Sequence, residues 1–282
     1  MLPVQKIKLT LAISCAILSC TQVQAQPLNS LSGQNQSPDP SRKSHGSLTF
    51  AVPPPPEDIG EPGQRSEAGS RGCENVDKRI PIDPQKHRLT ALVPVYSDSA
   101  LVLGATIAAA PTFWFYTSYV TPVPAKFVLR DKSGELVYQT DVALPKTPGA
   151  IGLSLPKTVP PLLVGQQYRW FLKIYCRAQE PPAFVDGWIQ INSLDPTLKE
   201  QLEKATPRDR VALYAVNGLW FDALTVAAQL RRRNPNNPSW AELLQVIGLN
   251  ELAIEPIVEC CSTTKANSPI KRRVPRTGDV DI

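Results

Sequence analysis

Histidine is nearly absent from this chain, with only His45 and His87 among 282 residues, and methionine occurs once. Neither histidine stands with a serine or cysteine in a nucleophile-elbow setting, so a catalytic triad has no support. Cys-x-x-Cys and Cys/His ligand spacings are missing too, which leaves no candidate zinc site. No glycine-rich phosphate loop occurs; Gly149, Gly152 and Gly165 read as turn residues. No apolar stretch after the N-terminal segment approaches the roughly 20 residues of a membrane-crossing helix. These gaps predict no catalytic residue, no metal, no cofactor and no transmembrane span in the mature chain.

An excess of one charge is also missing once the ends are set aside. The formal net charge is +5, from 30 basic and 25 acidic side chains. Lys6 and Lys8 account for two of these charges and the stretch from Cys260 to Ile282 for three, leaving 23 of each sign between them. That argues against nucleic acid as a partner of the folded part. What the chain does hold is proline, at 29 residues about twice the usual share. Such enrichment favours loops and short strands over long helices. Hydrophobic residues at 42% and charged ones at 20% still permit a substantial core.

Residues 1–25 read as a secretory signal peptide. Lys6 and Lys8 supply the positive start, Leu9 to Leu18 the apolar run, and Val23-Gln24-Ala25 the small residues for cleavage between Ala25 and Gln26. An alternative treats Ile17-Leu18-Ser19-Cys20 as a lipoprotein box that anchors the chain at Cys20; the bulky Leu18 disfavours it. A periplasmic or extracellular destination leaves Cys73, Cys176, Cys260 and Cys261 where disulfides persist. Cys73 and Cys176 each lie beside patterned sequence and form the candidate structural pair, the other reading of Cys176 being a small buried residue. Cys260 and Cys261 fall in a polar tail, where they could pair with one another, with another chain, or not at all.

Residues 26–72, rich in Pro, Ser, Gly and Gln with Pro53-Pro54-Pro55-Pro56 among them, predict a disordered stalk. Residues 73–192 carry strand signals at Leu89–Val95, Thr112–Tyr119, Lys126–Arg130, Glu135–Thr140, Ile151–Leu155, Tyr168–Cys176 and Phe184–Ile191. Asp131-Lys132-Ser133-Gly134 marks a hairpin turn. Tyr168, Trp170, Leu172, Ile174 and Cys176 share one face by period two. Short strands at this spacing predict an antiparallel immunoglobulin-like β-sandwich, and Leu162, six residues before Tyr168, resembles the tyrosine corner of that fold.

Residues 193–256 turn helical. Asp195-Pro196 and Thr206-Pro207 each offer a cap followed by proline at the first helical position, with Asp209 in the capping-box place. A third helix runs Trp220–Arg233, and Ser239 with Glu242 caps a fourth that stops before Gly248. Residues 257–282 read as a basic disordered tail. The predicted class is α+β, strands first, with a small C-terminal helical extension.

The run Gly218–Asn237 (GLWFDALTVAAQLRRRNPNN) resembles the second half of a tetratricopeptide repeat, with Gly218 at the turn, Trp220 as the large aromatic, Ala223 as the small packing residue and Pro235 past the helix end. One such hairpin cannot cover its own apolar face, so it must lean on the sandwich or on a partner. From about Gly72 to Pro256 the chain resembles a cyanobacterial family of unknown function, domain of unknown function 928. The residues that carry this are Leu89–Pro94, Pro111–Tyr116, Leu153–Pro156, Gly187–Gln190 and the tract Arg210–Leu230. The resemblance implies export, a sandwich with helices, cysteines at Cys73 and Cys176, and no assigned activity.

Phe113-Trp114-Phe115-Tyr116 puts aromatics on both faces of one strand. Phe113 and Phe115 are assigned to the core, whereas Trp114 and Tyr116 form a binding patch if their face is bare. With Trp220 and the helix-terminal cations Arg231, Arg232 and Arg233 they make up the candidate interaction surface; a solvated helix end is the other reading of the arginines. Asp186 beside Gly187 and Trp188 suits sugar binding, and paired with Asp141 or Glu135 it would serve glycoside hydrolysis. A turn aspartate before a core tryptophan is the plainer reading. The sequence thus points to an exported, non-enzymatic interaction or assembly module of the cell envelope with a protein partner or a glycan ligand. The alternative is an envelope glycan or peptidoglycan hydrolase using carboxylates near Asp186.

Overall fold

A computed structural model describes residues 48–56, 59–67, 88–120, 122–177 and 179–261. Its strands are β1 (Leu89–Ala91), β2 (Val95–Tyr96), β3 (Leu101–Thr106), β4 (Thr112–Thr117), β5 (Ala125–Asp131), β6 (Leu136–Val142), β7 (Gly149–Ser154), β8 (Gln167–Ile174) and β9 (Ala183–Ile191). The helices α1 (Pro196–Lys204), α2 (Pro207–Val216), α3 (Trp220–Arg233) and α4 (Ser239–Val246) follow, so the strands-first α+β order holds. One sheet has the order β1-β4-β7 and the other β2-β3-β9-β8-β5-β6.

Between these nine strands the pairings are antiparallel with one exception, β3 running parallel to β9 from Leu103 beside Trp188 to Thr106 beside Ile191; the isolated Ala150–Ile257 bridge is parallel as well. A wholly antiparallel arrangement is therefore corrected. The strand responsible, β3, gives no period-two signal because every residue of its LVLGAT run is buried. Where one sheet face is wet the alternation is plain. In β8, Tyr168, Trp170, Leu172 and Ile174 are buried while Arg169, Phe171 and Lys173 are half-buried. The Asp131 turn also forms as read, its Oδ1 accepting the amides of Ser133 and Glu135 at 2.9 and 3.0 Å, with Gly134 at φ +88°.

The two sheets face each other through aromatic rings. Phe113 of β4 lies 5.0 Å from Phe127 of β5, and Phe115 lies 5.6 Å from Trp170 of β8. The opposite face of β4 is covered by the helices: Trp114 sits 5.5 Å from Trp240 and its indole N–H donates to Thr225 Oγ1 at 3.1 Å. Hence the layers run from the six-stranded sheet through the three-stranded sheet to the helices. At the mouth of β8, the amide of Leu163 donates to the Tyr168 hydroxyl at 3.1 Å, above buried Leu162.

Capping follows the sequence at two helices and departs from it at a third. Asp195 Oδ1 accepts the Leu198 amide at 3.0 Å, and Thr206 shares a hydrogen bond of 2.7 Å with Asp209 while accepting its amide. Ser239 is not a cap. It is fully buried at the start of α4, whose Ser239 amide is held instead by Asn237 Oδ1 at 3.1 Å.

Two segments read as disordered pack on the body in part. Phe50 stacks edge-on against Trp220 at 5.0 Å, and the Ala51 amide donates to Ala215 O. Further on, Gln64 bridges to Asp186 of β9 and Ser66 to Thr90 of β1, so residues 64–66 tie one sheet to the other. At the far end Ile257 bridges to Ala150 of β7. Gly149 and Gly152 correspondingly lie within β7 rather than in turns. A Cβ on Gly149 would stand 2.6 Å from Pro256 O, so only glycine admits this C-terminal segment. Short apolar groups in a Pro-rich context carry no period, so these contacts with the body leave no pattern in the sequence.

Candidate functional site

In β9, Val185 and Ile189 point into the core, which sends Phe184, Asp186 and Trp188 to the other face of the six-stranded sheet. Asp186 is only 2% exposed. Arg169 donates to its Oδ2 through Nε and Nη2 at 2.9 and 2.7 Å, and the Gln64 amide donates to Oδ1 at 3.1 Å. The same guanidinium reaches Glu61 Oε2 at 3.3 Å and lies over the rings of Phe171 and Trp188 at 5.2 and 5.6 Å. Trp188 in turn donates its indole N–H to Glu61 O at 3.0 Å. Both carboxylate oxygens of Asp186 are engaged, and the cluster pins residues 61–64 to the sheet.

A hydrolytic pair is not assembled here. Asp141 stands on β6, three strands from β9, a separation of roughly 14 Å at the usual strand spacing. That exceeds the roughly 9.5 Å upper limit for two cooperating glycosidase carboxyls. Asp141 instead pairs with Lys126 at 3.6 Å, while Glu135 belongs to the hairpin turn.

The same outer face brings cations together that the sequence scatters. Register places Lys126 opposite Lys173, Val128 opposite Phe171 and Arg130 opposite Arg169 across β5 and β8, with Phe184 of β9 beside Lys173. Lys126 and Arg169 have carboxylate partners. Arg130 donates only to Gly134 O at 2.6 Å, and the Lys173 ammonium lies 5.2 Å from the Phe171 ring, so neither has an ion-pair partner among the described residues. Burial pushes the Lys173 pKa below its ordinary value, and Arg130 and Lys126 push the same way against Asp186.

The surface expected from Trp114, Tyr116 and Trp220 is interior instead. These side chains are 2%, 5% and 0% exposed, because α3 and α4 cover the outer face of β4. Trp220 donates its indole N–H to Leu92 O at 2.7 Å. Arg231 donates to the carbonyls of Ala253, Ile254 and Glu255 and so closes the turn after α4. Arg232 lies over the Trp114 ring at 5.5 Å, and Arg233 is exposed at the helix end. Cys176 is half-buried against the core, and Cys260 and Cys261 are joined to one another. Ala25, Gln26, Cys20, Cys73, His45 and His87 lie outside the described residues.

Sequence reasoning missed Asp222. It occupies the first turn of α3, accepts the Ile107 amide at 3.1 Å and lines a cavity of about 120 Å³ with Thr106 and Tyr214. Burial raises its pKa to about 6, against the opposing hydrogen bonds from Thr106 and Ile107. An aspartate in a first helical turn is ordinary, so its burial under the β3–β4 connection leaves no trace in the sequence.

Among the described residues no group of three or more His, Cys, Asp or Glu is placed to hold a metal ion, and no helix is long and apolar enough to cross a membrane. Fold and site together define a strands-then-helices protein with a cation- and aromatic-bearing sheet face. Residues 66–257 match the model of the family described as Domain of Unknown Function (DUF928), and the chain belongs to that family. No curated protein and no solved structure matches it.

Proposed function

We propose that this chain is an exported, non-enzymatic module that holds an acidic polysaccharide of the cell envelope on the outer face of its six-stranded sheet. The carrying observation is the pair of like-charged cross-strand contacts, Lys126 with Lys173 and Arg130 with Arg169, flanking Phe171. Like charges opposite one another cost stability in an otherwise balanced body. A carboxylated sugar polymer would relieve that repulsion at Arg130 and Lys173, while half-buried Phe171 and Phe184 offer rings for sugar stacking. The helices supply no comparable surface, since their apolar side is already used on β4, and a protein partner there loses its motivation.

Export rests on the signal-peptide pattern, with a mature chain starting at Gln26 and a Cys73–Cys176 bridge in an oxidising compartment. We read the two sheets as an immunoglobulin-like sandwich on the strength of the strand order and the Tyr168–Leu163 hydrogen bond. The α2–α3 pair is read as a single tetratricopeptide-like hairpin, supported by Gly218 at φ +71° and by buried Trp220 and Ala223.

Affinity electrophoresis of the mature chain through polygalacturonate, dextran and single-stranded DNA tests the assignment. Retardation by polygalacturonate alone is expected. The Arg130→Gln, Lys173→Gln double variant should weaken it roughly tenfold with unchanged melting. Equal retardation by DNA, or a double variant that binds as the parent does, removes the assignment.

A further inference from the structure

Between the free edge of β6 and the edge of β7, where the C-terminal segment crosses, the structure holds a cavity of about 180 Å³. Phe127, Val142, Leu153 and Leu155 supply its apolar lining, and Cys260 and Cys261 line it as well. Tyr138 is the exception among its polar side chains. Its residue is 9% exposed, and its hydroxyl is buried without a hydrogen-bond partner among the described residues.

Three other polar side chains on the lining each have a partner within the protein. Thr140 donates to Asp141 O at 3.2 Å, Ser154 shares a hydrogen bond of 2.7 Å with Thr112, and Asp141 pairs with Lys126 at 3.6 Å. Leaving a buried hydroxyl unpaired costs stability, because the group gives up water without a replacement partner. An apolar cavity of about 150 Å³ accepts a benzene ring. This one is of similar size, opens at a rim that bears Asp141 and Ser154, and holds one buried unpaired hydroxyl.

We propose that the β6–β7 cavity is a binding site for a monocyclic phenol-class molecule, its ring against Phe127 and Leu153 and its hydroxyl paired with Tyr138. An aromatic ring fits better than an aliphatic one. Phe127 and Tyr138 on the lining supply aromatic surface, and the sulfurs of Cys260 and Cys261 favour ring edges. This site opens between the sheet edges, and its rim residue Asp141 pairs with Lys126 of the outer face, but neither Arg130 nor Lys173 lines it, so each assignment is tested by its own residues.

The test uses the full mature chain with Cys260–Cys261 oxidised and titrates it with phenol and with benzene by calorimetry. Phenol should bind saturably, and benzene roughly five- to tenfold more weakly because it cannot meet the hydroxyl. Tyr138→Phe should bring the two to equal affinity, and Leu153→Trp should abolish both by filling the space. Absence of saturable phenol binding overturns the proposal. So does equal binding of phenol and benzene by the unaltered chain, which needs no variant to fold. A phenol preference that survives in Tyr138→Phe also overturns it.

Discussion

Tyr168 and Leu163 are joined by a hydrogen bond of 3.1 Å from the Leu163 amide to the phenol oxygen, across only five residues of chain. The contact closes the loop before β8 while Leu162 fills the core beneath it. Tyr168→Phe keeps the ring and removes the acceptor. It should lower stability by about 1–2 kcal/mol in urea titration, with the slope unchanged. Loss below a few tenths would show that water serves that amide equally well.

Asp186→Asn should act on folding. The substitution leaves Arg169, whose side chain is 22% exposed, without its main counter-charge. A cost of about 2–3 kcal/mol is expected, at or below the roughly 3 kcal/mol floor for breaking a fully buried pair because Arg169 still reaches water and Glu61. Chemical denaturation of the parent and variant at neutral pH measures it.

Gly63→Ala should loosen the segment that ties the sheets together. An added Cβ would stand 2.5 Å from Asp186 O, a backbone atom that cannot step aside. Amides of residues 59–67 should then exchange much faster while those of β8 stay protected, as read by hydrogen exchange. Uniform exchange in parent and variant would place the tie elsewhere.

Asp222 should make stability depend on pH. Its folded pKa rises from 3.8 to about 6, so the native state holds this proton more tightly than the unfolded chain does. The favourable contribution is complete below about pH 4 and disappears as pH climbs through about 6, a change of up to about 3 kcal/mol. Asp222→Asn should flatten that part of the stability curve. A parent curve without such a fall between these pH values contradicts the assignment.

If the chain is exported as proposed, peptide mapping without reductant should recover two disulfides. The expected bridge between Cys73 and Cys176 would close a loop of about 100 residues and stabilise by roughly 4–5 kcal/mol. The other is the Cys260–Cys261 pair. Recovery of Cys73 as a free thiol would remove the first, and N-terminal sequencing of the same sample should begin at Gln26.

Elements with one wet and one dry face were legible in the sequence. β8 alternates because its outer residues meet solvent, and α1 and α2 announce themselves through Asp195-Pro196 and Thr206-Pro207, since caps are local chemistry. β3 was illegible because it is covered on both faces, and a continuous apolar run carries no period. The cationic face was hidden for a different reason. Lys126, Arg130, Arg169 and Lys173 sit in a neutral body, and only the pairing of β5 with β8 lays them side by side.

The amino-acid order by itself determined the strands-then-helices arrangement, the Asp131 turn, two of the helix caps and the inward row of β8, all set by interactions within a few residues. Tertiary packing alone decided that Trp114 and Tyr116 are covered, that Asp186 is held by Arg169, and that β3 runs alongside β9. Each of these depends on groups far apart along the chain, whose meeting is fixed by burying two sheets and a helical layer together rather than by any local pattern.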